Sequence, residues 1–315
     1  MDWLLHNPVA DLPGPLFLLV YEFFIIAAAV WTYRSIGSKD TTDIYEPPEI
    51  PKSPDPYEIA YLRGGVNETL RVVLFSLYQR GFVEEFEQMP SRFATKIRTI
   101  RQVADAPSED DLRPIERDVY KACRAPFAPA EVFKKTALIE RLTAHCSLHE
   151  KTLRADELLQ PDAVKAAAWP TWRAAMAFLL MLGGYKFVVG IMKHHWNLGF
   201  LILSFLGAAI VLAITVAVVR NRRVSKRGKV YLTRLKLAFT GLKTQEHPRQ
   251  AFASYDPATM LLIGIYGIGA LKNTAYSGYA SLFATSSSGC GGGCGGGGEG
   301  CGGGCGGGGC GGCGG

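Results

Sequence analysis

The sequence predicts a mainly α, three-span helical membrane protein with a small cytoplasmic helical domain and a disordered glycine- and cysteine-rich tail. Three observations carry that prediction. Three long apolar runs interrupt the chain, each near the length that a helix needs to cross about 30 Å of hydrocarbon. Basic residues gather at one set of run ends, whereas residues 34–173 balance 21 Lys and Arg against 22 Asp and Glu. The last 27 residues, Gly289–Gly315, hold 20 glycines, six cysteines and one glutamate, which cannot build an apolar core.

The first run is PLFLLVYEFFIIAAAVWTY, Pro15 to Tyr33, and residues 1–33 form the first unit. A cleaved signal peptide carries Lys or Arg ahead of its apolar part. Residues 1–14 contain neither, so the run is expected to be a retained anchor. The second and third runs, about Ala174–Met192 and Leu198–Val219, flank the short turn KHHWN and form a hairpin over residues 174–219. Arg34 and Lys39 follow the first run, Lys165 and Arg173 precede the second, and RNRRVSKRGK follows the third. The opposite ends carry only Lys193. The expected topology is N-terminus outside, residues 34–173 inside, hairpin turn outside and residues after 220 inside, in a bacterial inner (cytoplasmic) membrane.

Two charges interrupt the runs. Glu22 and Lys186 both fall roughly 10 Å below the outer surface in this topology. A charge in lipid wants a partner, so an intramembrane Glu22–Lys186 pair is one expectation. The other is that Lys186 snorkels outward and Glu22 is protonated or near water.

Residues 34–56 read as a proline-rich linker, ending in EPPEIPKSPDP. Residues 57–165 read as the cytoplasmic helical domain. Ile59 and Leu62, then Leu70, Val73, Leu74, Leu77 and Tyr78, mark two amphipathic helices broken at Gly64–Gly65, with Asn67 as N-cap of the second. Gly81 ends it, and FVEEFEQMPSRFATKIRTI suits a short hairpin. Helix, turn, helix and hairpin is a winged-helix-like outline. A nucleic-acid interface needs a basic recognition face, and Arg71 and Arg80 are offset by Glu68 and the Glu84–Glu87 cluster, so no nucleic-acid partner is expected. A second helical stretch, about Leu112–Leu159, follows the acidic APSEDD. In it His145 and His149 stand one turn apart beside Cys146, a spacing that two metal ligands can use, although a semi-exposed helix face explains it equally simply.

Residues 220–257 mix basic and apolar residues and read as a juxtamembrane helix on an anionic leaflet. Residues 258–285 contain TMLLIGIYGIGAL, 13 apolar-rich residues, short for a span and suited to a buried, interfacial or re-entrant helix.

The tail, residues 289–315, carries Cys290, Cys294, Cys301, Cys305, Cys310 and Cys313. Within Cys290/Cys294, Cys301/Cys305 and Cys310/Cys313 the separations suit thiolate metal pairs, and thiolates favour the soft ions Cu(I) and Zn(II). A second reading makes the tail a substrate, because repeated Gly/Cys segments resemble the cores of ribosomally made peptides whose cysteines are enzymatically modified. A third leaves the tail incidental. No Walker-type loop, nucleotide fingerprint or Ser/His/Asp arrangement is present, so the chain is not expected to be an enzyme.

Several pieces together resemble a bacterial membrane-protein family of uncharacterised activity, with a YLRGG-type near-N-terminal domain and a Gly/Cys low-complexity C-terminus. They are LPGPLFLLVY, YEIAYLRGG with RVVLFSLYQRGFV, GGYKFVVGI, RGKVYLTRL, LLIGIYGIGAL and the Gly/Cys end. The turn KHHWN departs from the more basic, proline-containing turn of that family. The resemblance implies membrane location, no catalytic residues and a peptide-modifying iron enzyme as neighbour. The expected function is a membrane-anchored, non-enzymatic thiol-rich carrier, partnered by membrane lipids and a peptide-modifying enzyme. The alternative is a structural or regulatory membrane interaction protein acting through its helical domain.

Overall fold

The computed structural model describes residues 13–88, 97–192, 199–241, 256–274 and 276–284. Three helices are long and apolar enough to cross a membrane: α1 (Gly14–Gly37), α7 (Asp162–Met192) and α8 (Gly199–Arg220). They pack together through Phe17, Tyr21 and Ile25 of α1, Ala175 and Leu179 of α7, and Leu201, Ala208 and Leu212 of α8. Most of their remaining apolar side chains, among them Leu19, Phe23, Leu180 and Leu203, stay exposed. A soluble core hides such residues, so this outward apolar shell marks a lipid-facing bundle. Gly183 permits the closest approach. A Cβ there would sit 3.0 Å from the Tyr21 hydroxyl, which donates to the Leu179 carbonyl at 3.2 Å.

The domain is assembled from the loop between α1 and α7 and from the chain after α8. Helix α2 (Pro56–Gly64) is capped by Asp55, whose side chain accepts from the Tyr57 N–H. Helix α3 (Val66–Gln79) follows after one residue. Its N-cap is Gly65 at φ 76°, which replaces the expected Asn67, since glycine alone takes that backbone conformation without strain. Gly81, at φ 78°, stops α3: the Gly81 N–H bonds the Tyr78 carbonyl and the Phe82 N–H the Leu77 carbonyl. The chain then turns into β1 (Val83–Gln88), antiparallel to β2 (Ile97–Gln102), with Glu84 opposite Arg101 and Glu85 opposite Ile100. Helices α4 (Pro114–Ala122), α5 (Pro129–Val132) and α6 (Thr136–Ala155) pack into the same core, so Leu112–Leu159 is part of one unit with α2 and α3.

Helix α3 is buried all round. Leu70, Val72, Val73, Leu74, Phe75 and Leu77 have no exposed surface. Its cover comes from the segment read as a buried, interfacial or re-entrant helix, and the buried alternative holds for its described residues. Helix α10 (Pro257–Tyr266), a 3-10 turn (Ile268–Asn273) and α11 (Ser277–Ala284) place Met260, Ile263, Ile265, Leu271 and Tyr279 in the domain core. The 258–285 segment is therefore a core element rather than a membrane loop. A buried helix needs only its apolar side chains and a groove, and α2 supplies one: a Cβ on Gly264 would lie 2.9 Å from the Pro56 carbonyl oxygen.

Helix α9 (Lys226–Ala238) follows the third span. Tyr231 and Leu235 face the domain core, so one flank packs on protein. Its N-terminus is capped by Ser225, and the linker contributes further acceptors. Asp40 Oδ2 accepts from the Lys226 N–H at 2.9 Å and Thr42 Oγ1 from the Arg227 N–H at 3.3 Å. The start of the linker is thus fastened to the far end of the chain.

Candidate functional site

The sequence offers cysteines as the chemical groups, so their placement comes first. The six tail cysteines lie outside the described residues. Cys123 and Cys146 are free thiols with no exposed surface. The Cys123 Sγ–H donates to the Val119 carbonyl at 3.2 Å, and burial pushes its thiol up to about 12. Burial raises Cys146 as well. A reactive or metal-binding cysteine needs its thiolate, so neither body cysteine is suited to that chemistry.

The histidine pair resolves the same way. On α6, Cys146 points into the core while His145 Nε2 lies 2.9 Å from Asp118 Oδ2 on α4. Among the described residues no group of three or more His, Cys, Asp or Glu is arranged to hold a metal. Glu22 lies on the exposed face of α1, one position past Tyr21, which faces α7. Lys186 is half-buried, with its Nζ 5.2 Å from the Phe17 ring centroid.

The root of the tail is firmly built. Tyr279 of α11 is buried and stacks on Tyr78, with ring centroids 4.7 Å apart, and meets Phe75 edge-on at 5.3 Å. Phe283 packs against Phe133. Arg98 of β2 donates through Nη2 to the Gly278 carbonyl at 3.1 Å and through Nη1 to Ser281 Oγ. The last described helix is therefore bolted between α3 and the hairpin, and the glycine-rich stretch begins five residues after Ala284.

Two polar assemblies brace the domain on which this root packs, and sequence reasoning missed both. In the first, Glu116 is almost wholly buried. Its carboxylate accepts from the Tyr57 hydroxyl, from Ser76 Oγ at 3.0 Å, from Arg80 Nη1 at 3.1 Å and from the Arg113 N–H at 2.9 Å. Four donors satisfy a charge that would otherwise be costly to bury. Burial and the neighbouring carboxylate hold the Tyr57 phenol well above its ordinary range, so it donates throughout. The only signal in the sequence was Glu116 at the third position of a helix starting at Pro114, a capping place.

The second assembly explains YLRGG. Glu68 bridges Arg63 and Arg71. Arg223, just after α8, stacks on the Tyr61 ring with its Cζ 4.1 Å from the centroid and donates through Nε to the Tyr61 carbonyl at 2.9 Å. Gly65 and Gly267, both at positive φ, lie where a Cβ would strike Arg223 and Arg63. The motif is a joint between the domain, its C-terminal segment and the third span.

No family model matches the chain, and neither a curated protein nor a solved structure matches it.

Proposed function

We propose that the protein is a membrane-anchored, non-enzymatic thiol carrier whose helical body holds the Gly289–Gly315 tail near the bilayer. Cys290, Cys294, Cys301, Cys305, Cys310 and Cys313 take up a soft ion, Cu(I) or Zn(II), or are presented to a peptide-modifying enzyme. The observation that carries this reading is the inertness of the body beside the order of the tail root. Cys123 and Cys146 are sealed, leaving the tail as the source of accessible thiols. Residues 256–284, which lead into it, are built into the domain core. Thiolate pairs separated by two to four residues suit such ions, and glycine lets the backbone wrap closely around one.

The topology proposed with it sets the domain and the tail root on the cytoplasmic side of a bacterial inner membrane, with the N-terminus outside. Arg34, Arg173, Arg220 and Arg222 share one set of span ends, and Trp169 and Trp172 stack beside Arg173 as an interfacial belt. The reducing cytoplasm preserves free thiols. The resemblance to YLRGG-type membrane proteins with Gly/Cys ends supports the same reading.

The test replaces all six tail cysteines by serine in the full chain. Copper or zinc retained per chain by the purified protein falls to background, or the covalent mass added to the tail disappears. Equal metal content and equal mass adducts before and after replacement refute the proposal.

A further inference from the structure

Where α7 and α8 leave the bundle, residues 158–160 and 223–225 cross as a short antiparallel bridge. The Gln160 N–H bonds the Arg223 carbonyl at 2.8 Å, and the Ser225 N–H bonds the Leu158 carbonyl at 3.0 Å. Beside this bridge lies a cleft of about 260 Å³ lined by Glu150, Arg154, Gln160, Arg220, Arg222 and Arg223, among others. We propose that this cleft is a binding site for a phosphate group at the membrane surface, the phosphodiester of an anionic lipid.

Charge alone does not make the argument, because basic residues follow many spans for reasons of topology. Two buried atoms do. Gln160 is 5% exposed and its Nε2 donates to the Val219 carbonyl at 2.9 Å, yet its Oε1 is buried without a hydrogen-bond partner. Arg223 is anchored through Nε on Tyr61, and its buried Nη2 likewise has no partner. Buried polar groups are nearly always paired, so an acceptor and a donor left unpaired on two residues that line one cationic cleft point to a ligand with both functions. A phosphodiester supplies acceptor oxygens for the guanidinium groups, and a glycerol or amine headgroup supplies a donor for Gln160 Oε1.

The neighbouring charges fit. Arg154 is committed in part to Glu150 at 3.0 Å and to Asp162 at 3.3 Å. Arg222 donates to the Tyr33 hydroxyl at 2.7 Å, which fixes its guanidinium near the end of α1. Arg220 is exposed, with no hydrogen bond or ion pair to another described residue, and is available to an incoming anion. The cleft lies beside the start of α7 and the end of α8, the level that the proposed topology gives to lipid headgroups.

The full-length protein in nanodiscs of phosphatidylcholine, with or without phosphatidylglycerol, tests this. Native mass spectrometry counts the lipids retained per chain, and thermal unfolding in discs reports whether each variant is folded. Phosphatidylglycerol is expected to be retained preferentially and to raise the unfolding temperature. Arg220→Gln with Arg222→Gln is expected to reduce retention about tenfold, whereas Lys229→Gln with Lys236→Gln, which removes two exposed charges outside the cleft, changes it less than about twofold. Inorganic phosphate added to pure phosphatidylcholine discs separates the sources. Stabilisation of the unsubstituted protein by phosphate, lost in the Arg pair variant, assigns the cleft to a free phosphate. Equal losses in both pair variants, or no response to either probe, overturn the proposal.

Discussion

Replacing Glu116 by alanine removes the single acceptor on which four donors converge. Tyr57 and Ser76 are buried, so their hydroxyls lose partners that water cannot replace. Arg80, whose side chain is 18% exposed, keeps a bond to the Asp111 carbonyl but loses its counter-charge. An orphaned buried polar group costs about 1–3 kcal/mol, and breaking a buried ion pair about 3–5 kcal/mol. These terms overlap, so a loss of about 3–5 kcal/mol is expected for the variant. At about 2–4 °C per kcal/mol for a domain of this size, the unfolding temperature drops by about 6–20 °C. Glu116→Gln keeps an acceptor for Tyr57 and Ser76 but turns an amide N–H toward Arg80 and the Arg113 N–H, so its loss should be about 1–3 kcal/mol. The assay is thermal unfolding of the detergent-solubilised full chain, followed by tyrosine and tryptophan fluorescence. An alanine variant melting within about 2 °C of the unsubstituted protein would show that Glu116 does not organise the domain.

Three further predictions rest on packing and burial. A Cβ at Gly228 would overlap the Leu158 carbonyl oxygen, so Gly228→Ala should destabilise by about 1–3 kcal/mol despite a helix-propensity gain of about 1 kcal/mol; a stabilised variant would refute the close crossing of α9. With the six tail cysteines replaced by serine, a maleimide should label neither Cys123 nor Cys146 before unfolding and both after it; labelling of the native protein would contradict their burial. The raised Cys123 thiol also fixes a sign. Its stabilising neutral form is complete below about pH 9 and is lost as pH rises towards about 12, so denaturant midpoints should fall across that window and should not rise.

The spans were legible because lipid demands long apolar runs and little else. The start of α7 was not, because Asp162–Arg173 mixes charges with Pro170, which reads as a break, while the helix continues through it. Residues 258–285 stayed open between a buried, an interfacial and a re-entrant helix because thirteen apolar-rich residues suit a membrane loop and a core helix alike. The deciding information was on α3, where Val72 and Phe75 fall off the expected apolar stripe and require a cover. The YLRGG glycines were visible, but the arginine that Gly65 accommodates lies 158 positions away. Glu116 was hidden for the same reason, its partners being spread over three elements. The tail cysteines were the plainest feature of the sequence, and they lie outside the described residues.

The central claim is that the body exists to carry a thiol-rich tail. The most direct measurement is the mass of the full chain from its own membranes, recorded natively and again after acid denaturation. The account predicts added mass on Gly289–Gly315: an ion released by acid, or a covalent adduct that survives it. The encoded mass in both states, apart from hydrogens lost to disulfides, would contradict it.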